Sequence, residues 1–229
     1  MQLTNRQIGQ KLHKVLEKGQ LLPLMEFIKK TPPKKLITPL IRAFYNEDSI
    51  QRWLAIIAFG KVVATIAQND LEQARIIIRR LMWSLNDESG GIGWGAPEAM
   101  AEAMANSKEL ATEYSKILLS YVWEEGNFLE YLPLRRGALW GLYRLAESHP
   151  EIFREIQAEN ILEKYLSDQD PQSKALAIIA ISLGGNKKFC NQIADNLSDN
   201  RSVKLFIENE LKKVSISELS KKALKKLNC

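Results

Sequence analysis

A short pattern recurs along this chain of 229 residues and constrains its fold more than any other feature. In each copy a polar or proline-containing turn leads into an apolar helix, and a basic residue precedes an alanine by three positions. The basic residues are Arg52, Arg135 and Lys174, which are 83 and 39 residues apart. The midpoint of the longer gap falls at Trp94, and residues 199–204 begin a shorter copy. The spacing therefore indicates a structural repeat of about 40 residues.

Helical signals fill the chain between these copies. Thr4, the polar turn 46–49 ending at Ser49, and Asp70 each precede an apolar stripe at helical spacing and are predicted to cap a helix. Residues 168–171 are predicted to form a turn with Pro171 in the first turn of the next helix, and Ser215 with Glu218 resembles a capping box. Residues 186–227 are predicted to form three more helices, and no strand is predicted anywhere. Since a pair of helices cannot bury its apolar faces alone, successive pairs are expected to stack and share a core. The recurring Asp and Arg/Lys residues are then expected to pair along the stack.

Two motifs sharpen this reading, namely LNDESGGIGWGAPE at 85–98 and LRRGALWG at 134–141. With the repeat, they resemble HEAT-type proteins, and in particular an uncharacterised group of small bacterial HEAT-repeat proteins related to phycobilisome-lyase-like repeats. The resemblance implies an all-α fold, an α-solenoid (superhelix) of about five HEAT-like helical hairpins with degenerate end caps. It implies one domain, 1–229, with a basic N-terminal cap (1–46), core repeats (47–200) and a basic C-terminal cap (201–229). The group has no established activity.

The positive charge of the chain is concentrated at its two ends. Residues 1–46 hold nine Lys/Arg against two acids, a balance of +7, and residues 201–229 hold eight against three, a balance of +5. The middle, 47–200, holds fifteen against twenty-two, a balance of −7. A nucleic-acid-binding protein usually concentrates positive charge on its reading surface. The acidic middle therefore disfavours a nucleic-acid partner, although it does not remove that alternative.

The glycine loop, residues 86–98, is the most unusual segment. Glycine permits a positive φ and close approach of another group, and Pro97 suits the first turn of a helix beginning at about residue 96. The free N–H groups of that helix could bind an anion, with Trp94 as a stacking surface. The structural alternative is a tight turn between closely crossing helices, with Trp94 filling the gap. The spacing matches neither of the common nucleotide-binding glycine motifs.

Stacking of repeats would bring charged and aromatic residues near this loop to one edge. Trp and Arg are enriched at binding hot spots, so this edge is the predicted binding site; the alternative is that Arg135 or Arg136 only neutralises Glu124 or Glu98. The predicted binding residues are Asp87, Glu88, Trp94, Glu98, Glu124, Glu125, Asn127, Arg135, Arg136 and Trp140.

Catalysis has little support in the sequence. The histidines His13 and His149 lie in no metal-binding spacing, and acid pairs such as Glu124-Glu125 would need burial to act as acid and base. Cys190 is expected in the core and Cys229 at a mobile end, without a disulfide framework. No apolar run approaches the ~20 residues of a membrane span. No catalytic residue, metal, cofactor or membrane contact is predicted, and a cytoplasmic location is the default.

The sequence thus favours a non-catalytic scaffold that recognises a protein or peptide partner through the glycine loop and the adjacent edge. The alternative is a DNA-binding HEAT-like protein related to alkylpurine DNA glycosylases. Trp94, Glu98 and Arg135 or Arg136 are similar in kind to the side chains that such enzymes use, but this likeness is one of fold rather than of site.

Overall fold

The computed structural model describes residues 4–45, 49–86 and 93–229. Asp87 and Glu88, two of the predicted binding residues, lie outside the described residues. Contacts divide the chain into two compact units, an N-terminal unit, Met1–Leu110, and a C-terminal unit, Ala111–Cys229. The described part is mostly helical, as the sequence predicted. The organisation into a single domain with two end caps stays a prediction.

The described part of the N-terminal unit consists of helices. They are α1 (Asn5–Glu17), α2 (Leu21–Lys29), α3 (Pro33–Ala43), α4 (Ile50–Asn69), α5 (Leu71–Leu85), α6 (Ala96–Ala105) and the start of α7 (Lys108–Ser120). Three predicted caps are confirmed. The side chain of Thr4 forms a capping box with Gln7, and Ser49 and Asp70 accept the backbone N–H of Arg52 and Gln73. These bonds satisfy N–H groups that helix ends leave without partners.

Helix α4 forms the centre of the N-terminal unit. Among the described residues, α4 is the one helix with the length and apolar composition of a membrane span. It has 20 residues and a mean hydropathy of 1.5. This helix was not singled out from the sequence. Two thirds of its most apolar stretch is buried within the protein, as in a core helix. Gly60 permits a close crossing with α6, because a Cβ at this position would lie 2.5 Å from the Glu102 carbonyl oxygen.

The C-terminal unit combines helices with two short strands. Its elements are the rest of α7, α8 (Leu132–Ser148), α9 (Pro150–Glu155), α10 (Ala158–Leu162), α11 (Pro171–Gly184), α12 (Cys190–Ala194), β1 (Ser202–Ile207), β2 (Glu210–Ser215) and α13 (Ile216–Leu227). Short 3₁₀ segments, Glu163–Ser167 and Lys187–Phe189, join some of these helices. Asp170 caps α11 through the N–H of Ser173, and Ser215 caps α13 through the N–H of Glu218. The turn before α11 and the cap at Ser215 were predicted, whereas the capping role of Asp170 was not.

The prediction of three helices over residues 186–227, without a strand, was wrong. Strands β1 and β2 form an antiparallel hairpin that pairs Ser202 with Ser215 and Ile207 with Glu210. The two turn residues, Glu208 and Asn209, both have a left-handed backbone, with φ of 54° and 61°, as a two-residue hairpin turn requires. The turn lacks the Gly that usually signals it. The alternation of polar and apolar residues over 202–205 was the strand signal that the sequence offered.

The expectation for the two cysteines was also wrong. Cys190 and Cys229 form a disulfide with their Cα atoms 6.2 Å apart, which is within the range that the bond allows. The sequence separation of 39 residues encloses the hairpin and α13 in one covalent loop. The C-terminal residue is therefore attached to α12 rather than mobile. Sequence spacing alone gave no indication that these two residues meet.

Candidate functional site

The described end of the glycine loop is closely packed against the N-terminal unit. Gly95 precedes α6 with a φ of 74°, and a Cβ there would lie 2.9 Å from the Cβ of Phe44. A Cβ at Gly93 would lie 2.8 Å from the carbonyl oxygen of Ser84. These two glycines are thus required by close packing, in agreement with the structural alternative. The ring of Trp94, between them, is half-buried.

Glu98 is not part of an exposed edge. It is only 4% exposed, and its Oε1 accepts a hydrogen bond of 2.5 Å from the guanidinium of Arg52. Its other oxygen, Oε2, is buried without a hydrogen-bond partner. A carboxylate already occupies the first turn of α6, so this helix end disfavours the anion considered from the sequence. Glu98 is therefore a buried partner of Arg52, and its assignment to the exposed edge is corrected.

In the C-terminal unit, basic side chains reach carboxylates in later elements. Arg136 on α8 donates two hydrogen bonds to Asp170, the cap of α11. Lys174, one turn into α11, lies 3.3 Å from Asp199, just before β1. Arg201 also donates to Asp199. The predicted pairing of a recurring basic residue with an Asp is seen for Lys174, whereas at the other repeat it is Arg136, next to Arg135, that pairs with an Asp.

The alternative pairing, in which Arg135 or Arg136 neutralises Glu124 or Glu98, was wrong. Glu98 pairs with Arg52, and Glu124 lies 3.0 Å from Lys164. Arg135 instead donates to the backbone carbonyls of residues 129 and 130. Arg136 contacts Asp170, so its role is to join α8 to the cap of α11 rather than to present a free guanidinium.

These contacts lower the pKa values of Asp170 and Asp199. Burial alone would raise the pKa of Asp170, but the hydrogen bonds from Arg136 and Ser173 outweigh burial and hold this pKa below its ordinary value. The hydrogen bonds from Arg201, assisted by Lys174, likewise lower the pKa of Asp199. Both carboxylates are therefore more acidic in the folded chain than in the unfolded chain.

The C-terminal unit should consequently lose stability in acid. A carboxyl whose folded pKa is depressed contributes stability above its unfolded pKa, about 3.9 for Asp, and loses it as the pH falls through the folded pKa. We expect the melting temperature to drop steeply from about pH 4 to about pH 2. Arg136→Gln should flatten this dependence, whereas Lys116→Gln, an exposed change in the same unit, should not. Equal slopes in both variants, measured by circular dichroism, would contradict the assignment.

Trp140 is also not part of an exposed edge. It is 2% exposed, and its indole Nε1 donates a hydrogen bond of 2.6 Å to the backbone carbonyl of Phe206 in β1. The Trp140 and Phe206 rings lie 6.4 Å apart at their centroids. Trp140 therefore joins α8 to the hairpin in the core of the C-terminal unit, and its assignment to a binding edge is corrected.

The other predicted binding residues of the C-terminal unit lie on the connector between α7 and α8 and at the start of α8. Helix α7 ends at Ser120, and residues 123–127 form an exposed turn. We call this region the connector surface, defined by Trp123, Glu124, Glu125, Asn127, Phe128, Tyr131, Arg135 and Lys164. Glu124 and Glu125 are both exposed, so this acid pair lacks the burial that acid/base chemistry would need.

Several contacts fix the shape of the connector surface. The Arg135 guanidinium lies 4.7 Å from the centroid of the Phe128 ring, and the Lys164 ammonium lies 5.5 Å from the same ring, both within cation–π range. The Asn127 side-chain amide donates to the hydroxyl of Ser120. A Cβ at Gly126 would lie 2.9 Å from the Ser120 carbonyl oxygen. The connector thus has a specified conformation rather than being an open loop.

Exposed aromatic side chains are the feature that sequence reasoning missed. Trp123 and Tyr131, both on the connector surface, are 39% and 47% exposed. In the N-terminal unit, Trp83 near the end of α5 is 81% exposed. Trp123 lies three residues after the end of α7. The signal that could have found it is the Glu-Glu-Gly sequence after it, which is typical of a turn.

Comparisons with known proteins support the fold and give no activity. No protein-family model matches the chain. An uncharacterised protein from Archaeoglobus fulgidus is 29% identical over 189 residues, covering 82% of this chain and 92% of that protein.

Solved structures of helical-repeat proteins are similar to this chain over nearly its whole length. A designed armadillo repeat protein has a TM-score of 0.53 at 16% identity and covers 99% of this chain and 96% of its own. One of the computationally designed armadillo repeat proteins for modular peptide recognition has a TM-score of 0.51 at 16% identity, covering 95% and 91%. An engineered protein from the Northeast Structural Genomics Consortium has a TM-score of 0.53 at 13% identity, covering 96% of each chain. The chain therefore has the fold of a helical-repeat α-solenoid, as its sequence predicted.

Proposed function

We propose that this protein is a non-catalytic repeat scaffold that binds a protein or peptide partner, and that the connector surface is its main contact. The observation that carries the proposal is the exposure of Trp123 and Tyr131 on a connector held in place by Phe128, Arg135 and Lys164. Tyr, Trp and Arg dominate the binding energy of protein interfaces. Their preorganisation lowers the entropy that a partner must lose on binding.

Two further observations support this proposal. One solved structure with a similar fold was designed for modular peptide recognition, and stacked helical repeats present extended surfaces suited to that task. In the N-terminal unit, Trp94 is half-buried and Trp83 is exposed at the other end of the glycine loop. We propose that the glycine loop, 86–98, adds a separate contact through these aromatic residues.

The finer assignments also remain proposals. We propose that the chain belongs with the small bacterial HEAT-repeat proteins related to phycobilisome-lyase-like repeats, on the basis of its two motifs at 85–98 and 134–141. We also propose a cytoplasmic location. The Cys190–Cys229 disulfide is unusual for that compartment, and measuring its redox state in cells would test the location directly.

A capture experiment in the native host tests the proposed binding surface. We expect Trp123→Ala to reduce recovery of the specific partner about tenfold or more, because it removes an aromatic anchor of the hot-spot type. The matched control is Leu22→Ala, which truncates a largely exposed apolar residue of α2 in the N-terminal unit and should leave recovery unchanged. Trp94→Ala tests the glycine loop separately, by the same measurement.

Two outcomes would overturn the assignment. Recovery of the same proteins in equal amounts with Trp123→Ala would exclude the connector surface. Loss of all captured material after nuclease treatment, with binding that falls steeply as salt increases, would instead favour a nucleic-acid partner.

A further inference from the structure

A basic groove lies between α1 and α3 in the N-terminal unit. It has a volume of about 820 Å³, which is within the range of ligand-binding pockets. We call it the α1–α3 groove. Its lining residues are Asn5, Arg6, Gly9, Gln10, Leu12, His13, Leu16, Lys34, Lys35, Thr38, Pro39, Arg42 and Ala43.

The charge of the α1–α3 groove has a single sign. Arg6, Lys34 and Arg42 are exposed, Lys35 and His13 add further basic groups, and the described lining residues include no Asp or Glu. The His13 imidazole lies 3.3 Å from the carboxylate of Glu17, outside the lining. Within the described part of the chain no carboxylate pairs with Arg6 or Arg42, and Lys34 has a long contact of 3.7 Å to the exposed Asp70. Like charges held close together repel one another, so an anionic occupant would relieve that repulsion.

The floor of the groove distinguishes between anionic partners. Pro39 and Ala43, both half-buried, form an apolar strip over the buried Leu12 and Leu16, and the described lining residues include no aromatic side chain. Single-stranded nucleic acids are usually held by aromatic residues that stack on the bases, and this surface offers none. An amphipathic peptide helix instead places an apolar face against a strip and its charged residues along the rims.

We propose that the α1–α3 groove binds an acidic amphipathic peptide helix, with the peptide carboxylates paired to Arg6, Lys34 and Arg42. The dimensions agree, since α1 and α3 contain 13 and 11 residues and a peptide helix of about 12 residues is about 18 Å long. This inference does not rest on the connector surface. Either proposal can fail without affecting the other.

Fluorescence anisotropy with defined probes tests the groove. The first probe is a labelled peptide of about 12 residues, with Leu at helical spacing on one face and Glu elsewhere. The second has the same composition in scrambled order, and the third is an oligothymidine of about 12 nucleotides. We expect the first probe to bind more tightly than the others. Arg6→Glu with Arg42→Glu should weaken its binding about tenfold or more, because both rim charges are reversed.

The control pair is Lys11→Glu with Lys18→Glu. Both lysines are exposed and lie outside the groove lining. Lys18 lies at the C-terminal end of α1, as Arg42 lies at that of α3, so each pair changes one charge at a helix end. We expect this pair to weaken binding less than about threefold, through net charge alone. Circular dichroism checks folding, and Arg6→Gln with Arg42→Gln should give an intermediate loss. Equal losses for the two reversed pairs, tighter binding of oligothymidine, or no binding of the first peptide would each overturn the proposal.

Discussion

Replacing Arg52 with alanine should lower the free energy of unfolding of the N-terminal unit by about 3–5 kcal/mol, the loss typical when one member of a buried ion pair is removed. The Arg52 and Glu98 side chains are 12% and 5% exposed, and their closest contact is 2.5 Å. The Glu98 Oε2 atom already lacks a hydrogen-bond partner. Without Arg52, the whole carboxylate would be buried and uncompensated. Urea unfolding, with hydrogen exchange on α4 and α6, measures the loss.

The matched control is Arg79→Ala. Arg79 contacts Glu72 at the same distance of 2.5 Å, but both side chains are about half exposed, so water can solvate either charge and little stability should be lost. Adding Glu98→Gln to Arg52→Ala removes the uncompensated charge and should restore part of the stability. A loss for Arg52→Ala no larger than that for Arg79→Ala would show that burial does not govern this pair.

Replacing Trp140 with alanine should destabilise the C-terminal unit by a similar amount, about 3–5 kcal/mol, because it leaves a large cavity in a packed core. The change also leaves the Phe206 carbonyl without the indole donor that lies 2.6 Å away, and an unsatisfied buried carbonyl is costly. The hairpin should lose hydrogen-exchange protection before the rest of the unit, since Trp140 joins α8 to β1. Denaturant unfolding measures the total effect.

Two variants separate the loss of core packing at Trp140 from the loss of its hydrogen bond. Trp140→Phe keeps most of the ring volume and removes the N–H, so we expect a loss of about 1–3 kcal/mol. Trp123→Ala removes the same side chain from an exposed position and should cost far less. If Trp140→Ala unfolded like wild type and impaired only partner capture, Trp140 would belong to a binding surface after all.

Among the predicted site residues, those in the turn after α7 are exposed, whereas Glu98 and Trp140, which lie on helices, are buried. Glu124, Glu125 and Asn127 are exposed because the chain leaves α7 four residues before Glu124. Glu98 and Trp140 lie inside α6 and α8, where the facing neighbours decide burial. Those neighbours are Arg52 for Glu98 and Phe206 for Trp140. The two contacts span 46 and 66 positions of the sequence, respectively. A single sequence contains no information about such pairs until the elements are placed.

The sequence by itself determined the helical-repeat fold, since helix caps, proline turns and apolar stripes are local patterns that recur every 40 residues. It also predicted that basic and acidic residues pair between repeats. Tertiary structure alone decided that Cys190 meets Cys229, that residues 202–215 form a hairpin, and that Trp83, Trp123 and Tyr131 are exposed. The physical reason is the range of the interactions. Hydrogen bonds within a helix join residues four apart, whereas burial and cross-linking depend on which distant segments meet.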